Sequence, residues 1–211
     1  MSKHSPAVLV IARGLEWMKT NPRVEIAAYV GLLSAMEGDD QTAREMLAGC
    51  REFGKDHNGL IEMLEFMIAH RFEPPGAAAE CARRLDTQDD VSPSVSVMIH
   101  TELLWHDMLA RRFDEVKRRT NLMLSIGNAP AAAVAAAAMA RYEGNEPRAL
   151  RYDQESASLP PAERFYYQYL AAWATGLERQ AHDCMARLIE RDGALAEMAR
   201  QTVIAAGGTV S

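Results

Sequence analysis

Proline and glycine punctuate this chain at intervals, and that punctuation limits its fold more than any other feature. All nine prolines (Pro6, Pro22, Pro74, Pro75, Pro93, Pro130, Pro147, Pro160 and Pro161) sit where a helix would begin. Proline is tolerated in a first helical turn, where its missing N–H would be unpaired anyway. Gly38, Gly54, Gly127, Gly144, Gly176 and Gly193 mark helix ends, as a left-handed C-terminal cap favours glycine. Between these marks, apolar residues recur at i, i+3, i+4 and i+7. Leu60, Met63, Leu64 and Met67 show this spacing, as do Phe165, Tyr169 and Ala172, and it is the period of a helix with one buried face. No β-branched alternation and no hairpin dipeptide joins two such runs. The fold class is all-α.

The helices come in repeats. A corner pattern Gly-x4-Ala occurs at Gly38/Ala43, Gly144/Ala149 and Gly176/Ala181. Two further corners fill the gap: Glu73-Pro74-Pro75-Gly76 followed by Ala79, and Arg111-Arg112-Phe113-Asp114-Glu115-Val116 with valine in the alanine slot. The slots at 43, 79, 116, 149 and 181 are 36, 37, 33 and 32 residues apart, a period that marks a stack of helical hairpins. On these residues the chain resembles the tetratricopeptide repeat family. Gly31, Gly38, Ala43, Leu47 and Cys50 occupy the family's slots in the first repeat, Ala137, Gly144, Ala149 and Pro161 in the fourth, and Tyr169, Gly176, Ala181 and Leu188 in the fifth. The resemblance implies a right-handed α-α superhelix of about five helix pairs behind an N-terminal capping helix. It is read as a single domain over 1–211, with cap 5–21, repeats near 23–57, 58–91, 92–128, 129–160 and 161–193, and a C-terminal cap 194–206. An irregular α-solenoid is the alternative. The third repeat admits two registers, with His100, Leu104 and Asp107 or with Thr101, Leu104, Trp105 and Met108 on the packed face.

The resemblance also implies a groove. Family positions on the first helix of each pair place Leu32, Met36, Ile68, Phe72, Trp105, Tyr142, Tyr166, Leu170 and Trp173 on a concave surface. That surface is apolar and aromatic, and Lys and Asn are nearly absent from it. It therefore suits a protein or peptide segment with hydrophobic anchors rather than an acidic C-terminus. The expected function is a non-enzymatic chaperone, adaptor or assembly scaffold, of the kind small bacterial secretion chaperones provide. The alternative is a self-assembling protein that uses the aromatic surface as a homo-oligomer interface, in the simplest case a homodimer.

Composition narrows the rest. The 211-residue chain is 48% hydrophobic and 25% charged, enough to build a core. Its net charge of -6 gives no electrostatic case for nucleic acid. The run Ala7–Ala12 is short for a signal core, and the uncharged stretch near 125–140 is too weakly hydrophobic for a membrane span. No membrane insertion is expected, and the location is read as cytoplasmic, in a bacterium whose arginine and alanine usage suggests a GC-rich genome. Cys50, Cys81 and Cys184 are odd in number and widely spaced, which fits a reducing compartment; Cys50 and Cys184 are read as packed side chains.

No phosphate loop, dinucleotide fingerprint, metalloprotease motif or nucleophile elbow occurs, so no catalytic residue, metal or cofactor is expected. Glu102 with His106, and Glu178 with His182, are read as ordinary i,i+4 polar pairs. Asp86–Asp90 is read as a solvated linker. Arg111, Arg112, Lys117, Arg118 and Arg119 are read as a solvated helix face.

Overall fold

In a computed structural model the structure describes residues 6–53, 59–74, 76–87, 93–127 and 129–208. Twelve α-helices run through the described residues, and no strand occurs among them. They are α1 (Pro6–Met18), α2 (Val24–Glu37), α3 (Asp40–Phe53), α4 (Leu60–Phe72), α5 (Ala77–Asp86), α6 (Pro93–Leu109), α7 (Phe113–Ile126), α8 (Pro130–Tyr142), α9 (Glu146–Glu155), α10 (Pro161–Thr175), α11 (Glu178–Arg191) and α12 (Gly193–Ala205). The stop at Gly54, Pro75 and the Gln88–Asp90 part of the acidic linker lie outside the described residues.

The corners show why the helices end where they do. Gly38 and Gly176 have φ of 86° and 75°, a left-handed conformation that a Cβ disfavours. At the second, the Gly176 N–H donates to Trp173 O at 3.2 Å and the Leu177 N–H to Ala172 O at 2.8 Å. These bonds satisfy carbonyls that the helix leaves unpaired. The third corner repeats the geometry without glycine. Arg111 has φ of 56°; its N–H donates to Met108 O at 3.0 Å, and the Arg112 N–H donates to Asp107 O at 2.9 Å. A non-glycine residue there carries backbone strain of roughly 1 kcal/mol or more. Restart signals follow the stops: Asp39, Asn145 and Asp192 accept from the backbone N–H of Thr42, Arg148 and Leu195 at 3.1, 3.1 and 3.0 Å, as N-terminal caps do.

The described chain forms two compact units, residues 1–99 and 100–211, and the division falls inside α6. In the first unit α1 packs on α2, α2 on α3 and α4, α3 on α4, and α4 on α5. Its core joins Ala27, Ala28, Leu32, Ala35, Ala43, Leu47, Cys50, Leu60, Leu64 and Ile68. Gly31 lets these helices approach. A Cβ there would lie 2.6 Å from Leu64 Cδ2 and 3.0 Å from Met46 Cβ.

In the second unit α7 packs on α8, α8 on α9 and α10, α10 on α11 and α12, and α11 on α12. Its core runs from Leu104, Trp105 and Met108 of α6 to Val203 of α12. Those three α6 residues belong to the more apolar of the two registers considered for the third repeat, although Asp107 is buried beside them. Helix α8 is buried on every side, from Ala132 to Ala140. A helix apolar all round occupies the centre of its unit, and its alanines let neighbours approach closely.

Ala43 and Ala149 are 0% exposed. Leucine at either should destabilise the fold by about 1–3 kcal/mol through overpacking, read by urea unfolding, whereas Ala194→Leu on the exposed side of α12 should leave it unchanged.

Candidate functional site

The nine groove residues fall in different surroundings, and each unit has its own set. In the first unit Leu32 and Ile68 are buried in the core, Phe72 is half-buried against it, and Met36 is 57% exposed. In the second unit Trp105 and Leu170 are buried, Tyr166 and Trp173 are half-buried, and Tyr142 is 55% exposed.

The second unit gathers its aromatic residues. Trp105 of α6 stacks on Tyr167 of α10 with ring centroids 4.7 Å apart, and Tyr167 meets the edge of Tyr166 at 5.3 Å. Both helices share a core cluster with Val134, Ala135 and Ala138 of α8, so the small side chains of α8 give the stack its room. Tyr167 carries much of this arrangement and was not among the residues the sequence singled out. Burial pushes its hydroxyl up to about 12 and raises that of Tyr166 as well, although Thr202 of α12 bonds to Tyr166. The Arg111 guanidinium lies over the Trp173 ring at 5.5 Å. A Cβ on Gly208 would fall 2.9 Å from Trp173 Cε2, so the backbone after α12 runs against that indole. Two aromatic positions on α10 are therefore contacted by the chain's own C-terminal segment. Tyr142 stands further out and leans on Phe113 at 5.0 Å.

The first unit leaves apolar side chains uncovered. No described side chain of α1 is buried. Ile11, Gly14, Leu15 and Met18 form the half-buried face, and a Cβ on Gly14 would collide with Val30 of α2. Leu9, Val10 and Trp17 are 57%, 53% and 51% exposed, and Tyr29 of α2 is 57% exposed. At about 100° per residue, Val10 and Trp17 share one flank of α1.

The polar clusters resolve differently from their sequence appearance. His100 Nδ1 lies 3.2 Å from Arg119 Nη1, a cation beside the ring nitrogen. Among the described residues no three His, Cys, Asp or Glu side chains come together in a way that could hold a metal ion. The basic run on α7 is largely neutralised. Arg112 and Arg119 bond to Asp107, Lys117 pairs with Glu143 at 2.6 Å, and Arg118 pairs with Glu115 at 2.8 Å. The cysteines are all buried, and burial raises the thiol of Cys81 and pushes that of Cys184 up to about 11. Such thiols are packing groups rather than nucleophiles at neutral pH. No described helix is long and apolar enough to cross a membrane. Compared with protein-family models, curated proteins and solved structures, the chain matches none.

Proposed function

We propose that this protein is a non-enzymatic protein-interaction module, a cytoplasmic chaperone, adaptor or assembly scaffold that holds a hydrophobic or amphipathic partner segment. The observation that carries this reading is α1, a largely apolar helix with no buried described side chain and with Leu9, Val10 and Trp17 more than half exposed. Isolated exposed apolar residues are ordinary, but a helix face of them is a surface awaiting cover. Met36 and Tyr29 extend the offer on α2, and Tyr142 is the exposed groove position of the second unit.

Neighbour-to-neighbour packing supports tetratricopeptide-like helix pairs as the underlying design. Within the units α1–α2, α2–α3, α3–α4, α4–α5, α7–α8, α8–α9, α10–α11 and α11–α12 pack as neighbours, and α2 with α4, α8 with α10 and α10 with α12 also contact the next but one, as stacked hairpins do. The exposed apolar flank of α1 also favours a second reading, self-assembly through α1.

One experiment separates the two. Wild type, Val10→Ser/Trp17→Ser and Tyr166→Ala/Trp173→Ala are compared by light scattering and by affinity capture from the native host. A monomeric wild type whose partner is lost only with the α1 substitutions supports the adaptor. A wild-type dimer that the same substitutions make monomeric supports self-assembly. Partner capture unaffected by the α1 pair but lost with the α10 pair would move the site to the second unit.

A further inference from the structure

Three arginines from two helices converge on one ring in the second unit. The guanidinium carbons of Arg164, Arg187 and Arg191 lie 5.8, 5.6 and 5.6 Å from the centroid of Phe165. Arg164 stands in the first turn of α10, and Arg187 and Arg191 lie one turn apart at the end of α11. Arg187 and Arg191 are exposed, Arg164 is half-buried, and the ring they cover is 8% exposed. None of the three forms an ion pair with a described carboxylate, although Asp183 sits one turn before Arg187 and Glu163 and Glu190 are chain neighbours. The contrast with the basic run at 111–119 is direct, because there Arg112, Lys117, Arg118 and Arg119 all have carboxylate partners.

Like charges gathered without a counter-charge repel one another, and a chain of net charge -6 has carboxylates to spare for them. Contact with an aromatic ring uses the cation's charge but leaves its N–H donors available to an oxyanion. The start of α10 adds to the field. Pro160 provides no side-chain cap, and the first backbone bond into the helix is from Arg164 N–H to Pro160 O, at 2.9 Å. The N–H groups of Ala162 and Glu163 thus precede the helical ladder, at the positive end of the helix dipole.

We propose that Arg164, Arg187 and Arg191 form a binding site for a phosphate-class oxyanion. Guanidinium forks match the oxygens of phosphate, and a dianion answers three cations better than a single carboxylate does. The ligand is compact rather than a polyanion, because the acidic remainder of the chain would repel nucleic acid. The source of the phosphate is either a free small anion or a phosphorylated side chain of a protein. The site is separate from α1 and stands or falls independently of it.

Thermal unfolding of the full chain, in inorganic phosphate and in sodium chloride at matched ionic strength, tests the site. Phosphate also stabilises proteins by exclusion from their surface, so the Arg187→Gln/Arg191→Gln variant supplies the baseline. The wild type should gain a larger rise in Tm from phosphate than this variant, because a ligand bound to the folded state stabilises it. Arg187→Lys/Arg191→Lys keeps the charge and the aliphatic stems but not the forks, and should show a reduced rise while remaining folded. Equal phosphate-dependent rises in wild type and the glutamine variant would overturn the proposal. A second titration compares inorganic phosphate with a short neutral peptide carrying one phosphoserine. Tighter binding of the peptide assigns a protein-borne phosphate, and equal or weaker binding assigns the free anion.

Discussion

Replacing Asp107 by alanine should lower the unfolding free energy by about 3–5 kcal/mol, the range for removing one partner of a buried ion pair. Asp107 is 5% exposed and accepts from Arg112 Nε at 2.9 Å and from Arg119 Nε at 3.1 Å. Arg119 is itself only 8% exposed, so the substitution takes a carboxylate away from a buried guanidinium. The loss has a second component. The corner between α6 and α7 places Arg111 where neighbouring corners place glycine, and the carboxylate holds Arg112 just beyond that strained residue. Arg119→Met in the Asp107→Ala background should recover part of the loss, because it removes the buried charge that the carboxylate balanced. That non-additivity separates an ion-pair role from simple loss of volume. Urea unfolding of the two single variants and the double variant reads all three terms. A loss under about 1 kcal/mol for Asp107→Ala would mean that the pair behaves like a surface salt bridge.

That corner also shows how far sequence can be read. The glycines at 38, 144 and 176 are visible because a left-handed residue leaves a compositional mark. The corner at Arg111 has no glycine, and it was located only by the spacing of Val116 from its neighbours. Its support comes from Asp107, which one of the two registers of the third repeat places on the packed face and which is buried beside residues of the other. The alanine run of α8 reads as a weakly apolar helix, because alanine has little hydrophobic signal of its own. The burial of its residues 132–140 comes from α7, α9 and α10 packing around it. Basic residues mislead in both directions for the same reason. Those at 111–119 cluster in sequence, but several find carboxylates, two of them outside α7 at Asp107 and Glu143. Arg164, Arg187 and Arg191 are scattered along the chain, and only the pairing of α10 with α11 brings them to one ring.

Tyr167→Ala should cost about 2–4 kcal/mol, near the lower end of what truncating a large buried aromatic costs because this ring is only half-buried. The ring stacks on Trp105 and meets Tyr166 edge-on, contacts that add to its area burial, so its loss opens the space that α8 leaves between α6 and α10. Tyr167→Phe keeps the ring, and at neutral pH it should change stability little. Alkali distinguishes the two. In the unfolded chain the hydroxyl ionises near 10.0, whereas burial in the folded chain holds its proton up to about 12. Across that window the unfolded state binds fewer protons, so stability falls as pH rises. The contribution is fully present below pH 10 and is lost as pH climbs through the folded value. Tyr167→Phe has no proton to lose there, so its stability should fall less steeply between about pH 10 and 12 than that of the wild type. A residual slope should remain from Tyr166 and Tyr169, which burial also raises. Parallel alkaline unfolding curves for wild type and Tyr167→Phe would place the phenol hydroxyl in water.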